Sequence, residues 1–196
     1  GRAAILCGAD ALYVGAPQFG ARYSAGVSVK DIEELCTFAH LFGAKVYVAM
    51  NTLLFEDELS DAEKIATCIY NAGADALIVQ DMSFLRMQNL PPIELHASTQ
   101  TFNMCAEKVR FLSETGFSRV ILERALSAKE IEEIHKAVPG TELEAFIHGA
   151  ICVSYSGRCY MSRTMSQRSG NRGMCLQSCR LPYNLLNEQM QPIVKD

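Results

Sequence analysis

The sequence predicts an α/β fold: a (β/α)8 TIM-like barrel, incomplete at both ends, with about six parallel strands and a cysteine-rich loop segment at its C-terminal face. Three observations carry that expectation. Strand and helix patterns alternate up to residue 150. The helix stop and strand start "GADALYVG" at 8–15 returns as "GADALIVQ" at 73–80, two βα units later. No Gly-rich nucleotide loop follows a strand, which weakens the alternative of an open doubly wound sheet.

The elements follow in order. Short apolar runs rich in β-branched residues mark strands at "ALYVG" (11–15), "KVYVAMN" (45–51), "ALIVQD" (76–81), "IELHAS" (93–98), "RVILER" (119–124) and "ELEAFIHG" (142–149). Runs of this kind suit strands buried on both faces, hence a parallel sheet with right-handed crossovers. Amphipathic helices lie between most of them: "SVKDIEELCTFAHLFG", "SDAEKIATCIYNAG", "NMCAEKVRFLSETG" and "SAKEIEEIHKAVPG". Ser28, Ser60 and Ser127 stand where N-caps belong, and Gly8, Gly43, Gly73 and Gly116 close helices just before strands. The chain opens inside a helix pattern without an initiator Met, so the closing strands are expected to lie outside it. Residues 1–150 then form a partial barrel, and 151–196 a Cys/Arg-rich segment continuing the same domain.

With 196 residues, 49% apolar and 20% charged, the chain can bury a sizeable core. No run reaches the roughly 18 apolar residues of a membrane span, and the first residues lack a signal-peptide layout, so no membrane partner and a cytoplasmic location are expected. Eight cysteines in this pattern suit a reducing compartment better than a disulfide framework. Cys7, Cys36, Cys68 and Cys105 fall on apolar helix stripes and are expected in the core.

The other four lie in 148–180, spaced C-x6-C-x15-C-x3-C as Cys152, Cys159, Cys175 and Cys179. Four thiolates suit an iron–sulfur cluster or a tetrahedral Zn. Zinc ribbons favour C-x2-C hooks, and the wider spacings here fit a [4Fe–4S] cubane better, with Zn as the alternative. The net charge is −4, yet between Glu144 and Glu188 the only charged residues are Arg158, Arg163, Arg168, Arg172 and Arg180. The local field is positive, and in "RSGNRG" Arg168 and Arg172 are placed to bind a carboxylate or phosphate.

Barrels of this kind build their sites at the C-terminal ends of strands. Those ends carry Asn51, Gln80, Asp81, His96, Ser98, Gln100, Glu123, Arg124 and His148. Asp81, Glu123 and His148 are the proton-transfer candidates. Asn51, Gln100 and Arg124, with Arg168 and Arg172, are the substrate-binding candidates, and Tyr155 and Tyr160 could stack on a base.

"ELEAFIHGAICVSYSGRCYMS" (142–162) resembles the signature of the collagenase-like peptidase family U32, through Glu144, Phe146, Gly149, Ala150, Cys152, Gly157, Cys159 and Ser162. "GADALYVGAPQFGAR", "HASTQ" and "GNRGMCLQSCRLPY" resemble family segments in the same order. The resemblance implies an RNA hydroxylase acting without oxygen on tRNA or rRNA, with prephenate as the small carboxylate donor and the four cysteines as cluster ligands. A quinone-precursor hydroxylase belongs to the same family. Two other readings stand beside it: a peptidase, possibly with zinc, and a zinc-stapled interaction loop. Against the peptidase, four cysteines close a zinc shell, and neither H-E-x-x-H nor G-x-S-x-G occurs.

Overall fold

The computed structural model describes residues 1–194, so the last two residues of the Cys/Arg-rich segment lie outside the described residues. Six strands form one all-parallel sheet: β1 (Ala11–Gly15), β2 (Lys45–Met50), β3 (Ala76–Val79), β4 (Glu94–Ala97), β5 (Arg119–Ile121) and β6 (Glu142–Glu144). Their spatial order is their sequence order. A doubly wound sheet reverses direction at a switch point; an unbroken order is that of a barrel wall.

Helix α1 (Arg2–Leu6) precedes β1, and α2 (Val29–His40), α3 (Leu59–Asn71), α4 (Ala106–Glu114) and α5 (Ala128–Ala137) separate the strands, except that β3 reaches β4 through a 3-10 turn at Met82–Arg86. Beyond β6 come a short helix α6 (Met161–Met165) and a small antiparallel pair, β7 (Leu185–Leu186) and β8 (Pro192–Val194). The main core lies between sheet and helices, where Leu12, Val46, Val48, Leu77, Val79 and Leu122 meet Ile32, Ile69, Val109 and Leu112.

Burial on both strand faces holds for β3 but not throughout. The barrel-interior face has a small apolar cluster of Tyr47, Ala76, Ile78 and Ile121. Tyr13 on β1 and Glu142 on β6 are exposed. The same face holds a polar layer in which Arg119 pairs with Glu142 at 2.7 Å and Glu144 at 3.3 Å. His96 stacks edge-on against Tyr47 there, with ring centroids 4.7 Å apart.

Local chemistry sets the boundaries. Ser28 accepts from the Asp31 amide, and Ser127 forms a reciprocal capping box with Glu130. Ser60 is not a cap, because a 3-10 turn at Glu56–Glu58 runs directly into α3 and puts Glu58 at its N-terminus. The four helix-closing glycines all have positive φ.

Of the four expected core cysteines only Cys36 is buried, and burial pushes its thiol up to about 11. Cys7 lies past the end of α1 as its C-cap. In α3 the buried stripe runs through Ala62, Ala66 and Ile69, which turns Cys68 outward. Cys105 is an extended residue just before α4, which starts three residues later than the periodicity suggests. Asn103 is diverted there into bonds with the carbonyls of Ser98 and Ile121.

Candidate active site

At the C-terminal ends of β2, β3 and β4 the polar side chains bond mainly to one another and to loop backbone. Asn51 accepts from the Ala21 amide at 2.9 Å and donates to Ser98 Oγ at 3.2 Å. Ser98 Oγ also accepts from the Gln100 amide at 3.1 Å. Gln80 donates to the Gln100 carbonyl at 3.3 Å, and its buried Oε1 has no partner among the described residues. Asp81 uses one carboxylate oxygen for the Ser83 amide and the other for the Leu54 amide, both at 2.9 Å. Such contacts fix the shape of the mouth. They leave Asp81 committed to its loops.

The segment after β6 runs back across this mouth as a strap. It is pinned first over β4 and β5: the Ser156 amide donates to Glu123 Oε2 at 3.2 Å, Arg124 Nη2 donates to Ser156 Oγ at 2.8 Å, and Thr99 Oγ1 lies 3.3 Å from the same hydroxyl. Glu123 and Ser156 are both 3% exposed, so this clasp is cut off from water. Gly157 follows, so close to the loop after β4 that a Cβ would sit 2.0 Å from the Gln100 carbonyl oxygen. Only glycine permits that approach.

Further on, the strap is pinned over β2 and β1. Leu53 donates its amide to the Asn171 carbonyl at 3.2 Å, and Tyr23 donates to the Gly173 carbonyl at 3.1 Å. A Cβ on Gly173 would lie 2.4 Å from the Gly20 oxygen. Arg172 donates to the Leu53 carbonyl at 2.8 Å, forks onto both carboxylate oxygens of Glu58, and stacks 4.1 Å from the centre of the Phe55 ring. That hydrogen-bonded guanidinium holds the Glu58 carboxyl below the usual carboxylate range.

The predicted residues therefore separate into two sets. Asn51, Gln100, Glu123, Arg124 and Arg172 are brought together around the mouth and the strap. His148 and Arg168 are exposed, and among the described residues neither side chain makes a hydrogen bond. Ser156, Thr99, Asn103 and Glu58 were missed: Ser156 lies inside the cysteine signature, but nothing in the sequence pairs Glu58 with a residue 114 positions away.

Cys152, Cys175 and Cys179 are exposed and Cys159 is half-buried, all as free thiols. Among the described residues no three His, Cys, Asp or Glu side chains converge as a metal-holding group. The donor chemistry fits a soft metal or cluster: four accessible thiols, with no carboxylate between Glu144 and Glu188 to compete. Cys175 Sγ also accepts from the Gln177 amide at 3.4 Å and lies 4.0 Å from Ser162 Oγ, contacts of the kind that tune cluster thiolates.

Comparison with known proteins decides the family. The model of Peptidase family U32 matches residues 1–195. The chain belongs to peptidase family U32. Among relatives, this U32 chain is 54% identical over 188 residues to the 23S rRNA 5-hydroxycytidine C2501 synthase of Escherichia coli, covering 96% of the chain and 28% of the relative. It is 38% identical over 185 residues to tRNA hydroxylation protein P1 of Bacillus subtilis, covering 93% of the chain and 44% of the relative. A Collagenase of Porphyromonas gingivalis is 29% identical over 195 residues, covering 93% and 47% respectively. The chain thus spans less than half the length of these relatives. The solved structure of the U32 peptidase Mk0906 shares the fold, with a TM-score of 0.59 at 17% identity over 74% of this chain and 62% of that one.

Proposed function

We propose that this U32 chain serves an RNA hydroxylase that modifies a pyrimidine base without molecular oxygen, taking the hydroxyl from prephenate. The observation that carries the reading is the 54% identity, across nearly the whole chain, to an rRNA 5-hydroxycytidine synthase. That relative favours an rRNA cytidine over a tRNA uridine as the target.

In this reading Cys152, Cys159, Cys175 and Cys179 would hold a [4Fe–4S] cluster. The cluster would supply Lewis-acid and one-electron chemistry beside the bound donor. Arg168, whose guanidinium in "RSGNRG" has no partner among the described residues, takes a donor carboxylate. Arg172 keeps the loop in place through Glu58. Arg124 and Gln100 line the path to the mouth, and Asn51 fixes its floor. Of the three proton-transfer candidates, Asp81 is held by two amides and Glu123 by the clasp, so proton transfer falls to the exposed His148.

The test is mass spectrometry of RNA nucleosides from cells lacking the protein, with loss of one hydroxylated base expected and an unchanged nucleoside profile fatal to the reading. The cofactor has its own test: anaerobically prepared protein should be brown, with iron and sulfide in equal amounts. Colourless protein with one zinc would replace the cluster by the zinc alternative. The peptidase reading gains nothing from Cys152 and His148, which are both exposed and share no hydrogen bond among the described residues.

A further inference from the structure

The outer side of the strap combines cations, aromatic rings and a lack of counter-charge. Residues 145–187 hold five arginines and no acidic residue, in a chain whose net charge is −4. Glu58 neutralises Arg172, but among the described residues Arg158, Arg163, Arg168 and Arg180 pair with no carboxylate. Tyr155, Tyr160 and Tyr183 each expose about half of their surface on the same segment.

Two of these groups are already arranged around a ring from the barrel. Phe102, held at φ +65° after the 3-10 turn that follows β4, meets Tyr155 edge-on at 5.2 Å. The Arg158 guanidinium sits 5.2 Å from the centre of the same ring. Lys108 lies alongside, its ammonium donating to the Thr101 carbonyl. Burial, together with the nearby Arg158 cation, depresses the Lys108 ammonium. Two adjacent cations without an anion between them are a place where a phosphate would relieve repulsion. Helix α6, carrying Arg163 with Tyr160 as its N-cap, packs on the turns at Gly170–Arg172 and Ser178–Arg180, so the segments that carry the remaining cations lie against one another.

We propose that this face is a docking surface for single-stranded RNA, with Tyr155 and Tyr160 as stacking side chains and Lys108, Arg158, Arg163 and Arg180 as phosphate contacts. The inference rests on the hydroxylase reading for the choice of polyanion, and the surface belongs to the strap that covers the proposed active site. An aromatic face accepts any base, while arginines follow the backbone, which suits a target nucleotide drawn out of its fold. A duplex offers no free base faces and should bind less well.

The experiment measures fluorescence anisotropy of the full-length protein with a labelled cytidine oligonucleotide of about 12 nucleotides, at several salt concentrations. Tyr155→Ala should weaken binding about tenfold. The triple variant Arg158→Ala, Arg163→Ala, Arg180→Ala should make the salt slope shallower by about 2. Lys129→Glu on α5, remote from the strap, should bind as the parent does. All four arginine and lysine positions are at the surface, so circular dichroism is expected to show an intact fold. The proposal is overturned if the triple variant keeps the parent's affinity and salt slope, if a duplex of the same length binds more tightly, or if Lys129→Glu weakens binding as much. Nucleoside analysis of complemented cells separates the two claims. Normal oligonucleotide binding by the triple variant, with the hydroxylated base present in cells complemented by it and lost on deletion, removes the docking surface and leaves the hydroxylase. Loss of binding in a protein whose deletion changes no nucleoside keeps the surface and removes the hydroxylase.

Discussion

Between the sheet and its helices, Val46, Val48, Leu77, Val79, Val109 and Leu122 are buried side by side, whereas on the strap Ile151, Val153, Tyr155, Tyr160 and Leu181 are exposed. The first region is held by apolar area removed from water. The second is held by a few polar pins at Ser156, Asn171, Arg172 and Gly173. The difference teaches where each region can be broken. A non-directional force spread over many side chains fails cooperatively and takes the whole fold with it; a directional one concentrated in a handful of bonds fails locally.

Truncation of the core gives the largest contrast. Leu77→Ala or Leu122→Ala should cost about 3 kcal/mol in urea unfolding, since each removes a fully buried side chain and leaves a cavity. Ile147→Ala on the neighbouring loop, where the side chain is 99% exposed, should change stability by less than about 0.5 kcal/mol. Equal losses at the two positions would mean that the strap belongs to the same cooperative core.

The clasp comes next. Glu123→Ala strips the buried Ser156 amide of its acceptor, an uncompensated loss of about 1–3 kcal/mol. Hydrogen exchange should accelerate at Ser156 and its neighbours before it does so in β2 or β3. Glu123→Gln, which keeps an acceptor oxygen, should restore most of the protection. Unchanged exchange in Glu123→Ala would return Glu123 to the list of proton-transfer groups.

The same division explains what the sequence disclosed. Strands, crossovers and the caps at Ser28 and Ser127 are short-range patterns: periodicity and a residue three positions away decide them. Errors came where a longer-range contact overrode the local pattern. Asn103 abandons the helix for the carbonyls of Ser98 and Ile121 and takes Cys105 out of the predicted stripe, and Glu58, bound by Arg172 from across the chain, ends the 3-10 turn that displaces the cap from Ser60. In the site, the strand-end residues were legible because barrel topology alone brings strand ends to one face. The pins were not, because Arg124–Ser156 and Arg172–Glu58 join residues with no sequence relationship. Glycines gave a partial signal: Gly157 and Gly173 fall inside recognisable motifs, and each marks a close backbone approach.

Acid should separate the regions in sequence. His96 is 1% exposed, and Glu94 Oε2 stands 3.5 Å from its Nε2 outside bonding geometry, so among the described residues both ring nitrogens lack a hydrogen-bond partner. Burial, with the Arg119 cation, lowers its proton affinity. The unfolded chain then binds the extra proton first, so stability is fully present above the unfolded value of about 6.5 and declines as pH falls below it. His96→Gln should flatten stability between about pH 7 and pH 5. An unchanged slope would place the ring in contact with an acceptor.

Glu58 works in the opposite sense and at lower pH, which makes it the smallest and most local effect. Its carboxyl is depressed by Arg172, so the contribution of the pair is present above the unfolded value of about 4.3 and is lost as pH falls through the lower folded value. The pair is partly solvent-exposed, so its worth is on the order of 1 kcal/mol or less. Arg172→Ala should raise the Glu58 titration toward that of a free carboxylate by NMR and loosen the strap near Leu53 and Asn171, while the unfolding midpoint at neutral pH hardly moves. Barrel and strap would then respond to different protons: the ring of His96 near neutrality and the carboxyl of Glu58 in acid. A single transition that removes Ser156 protection and core structure together would show instead that the pins and the apolar layer form one unit.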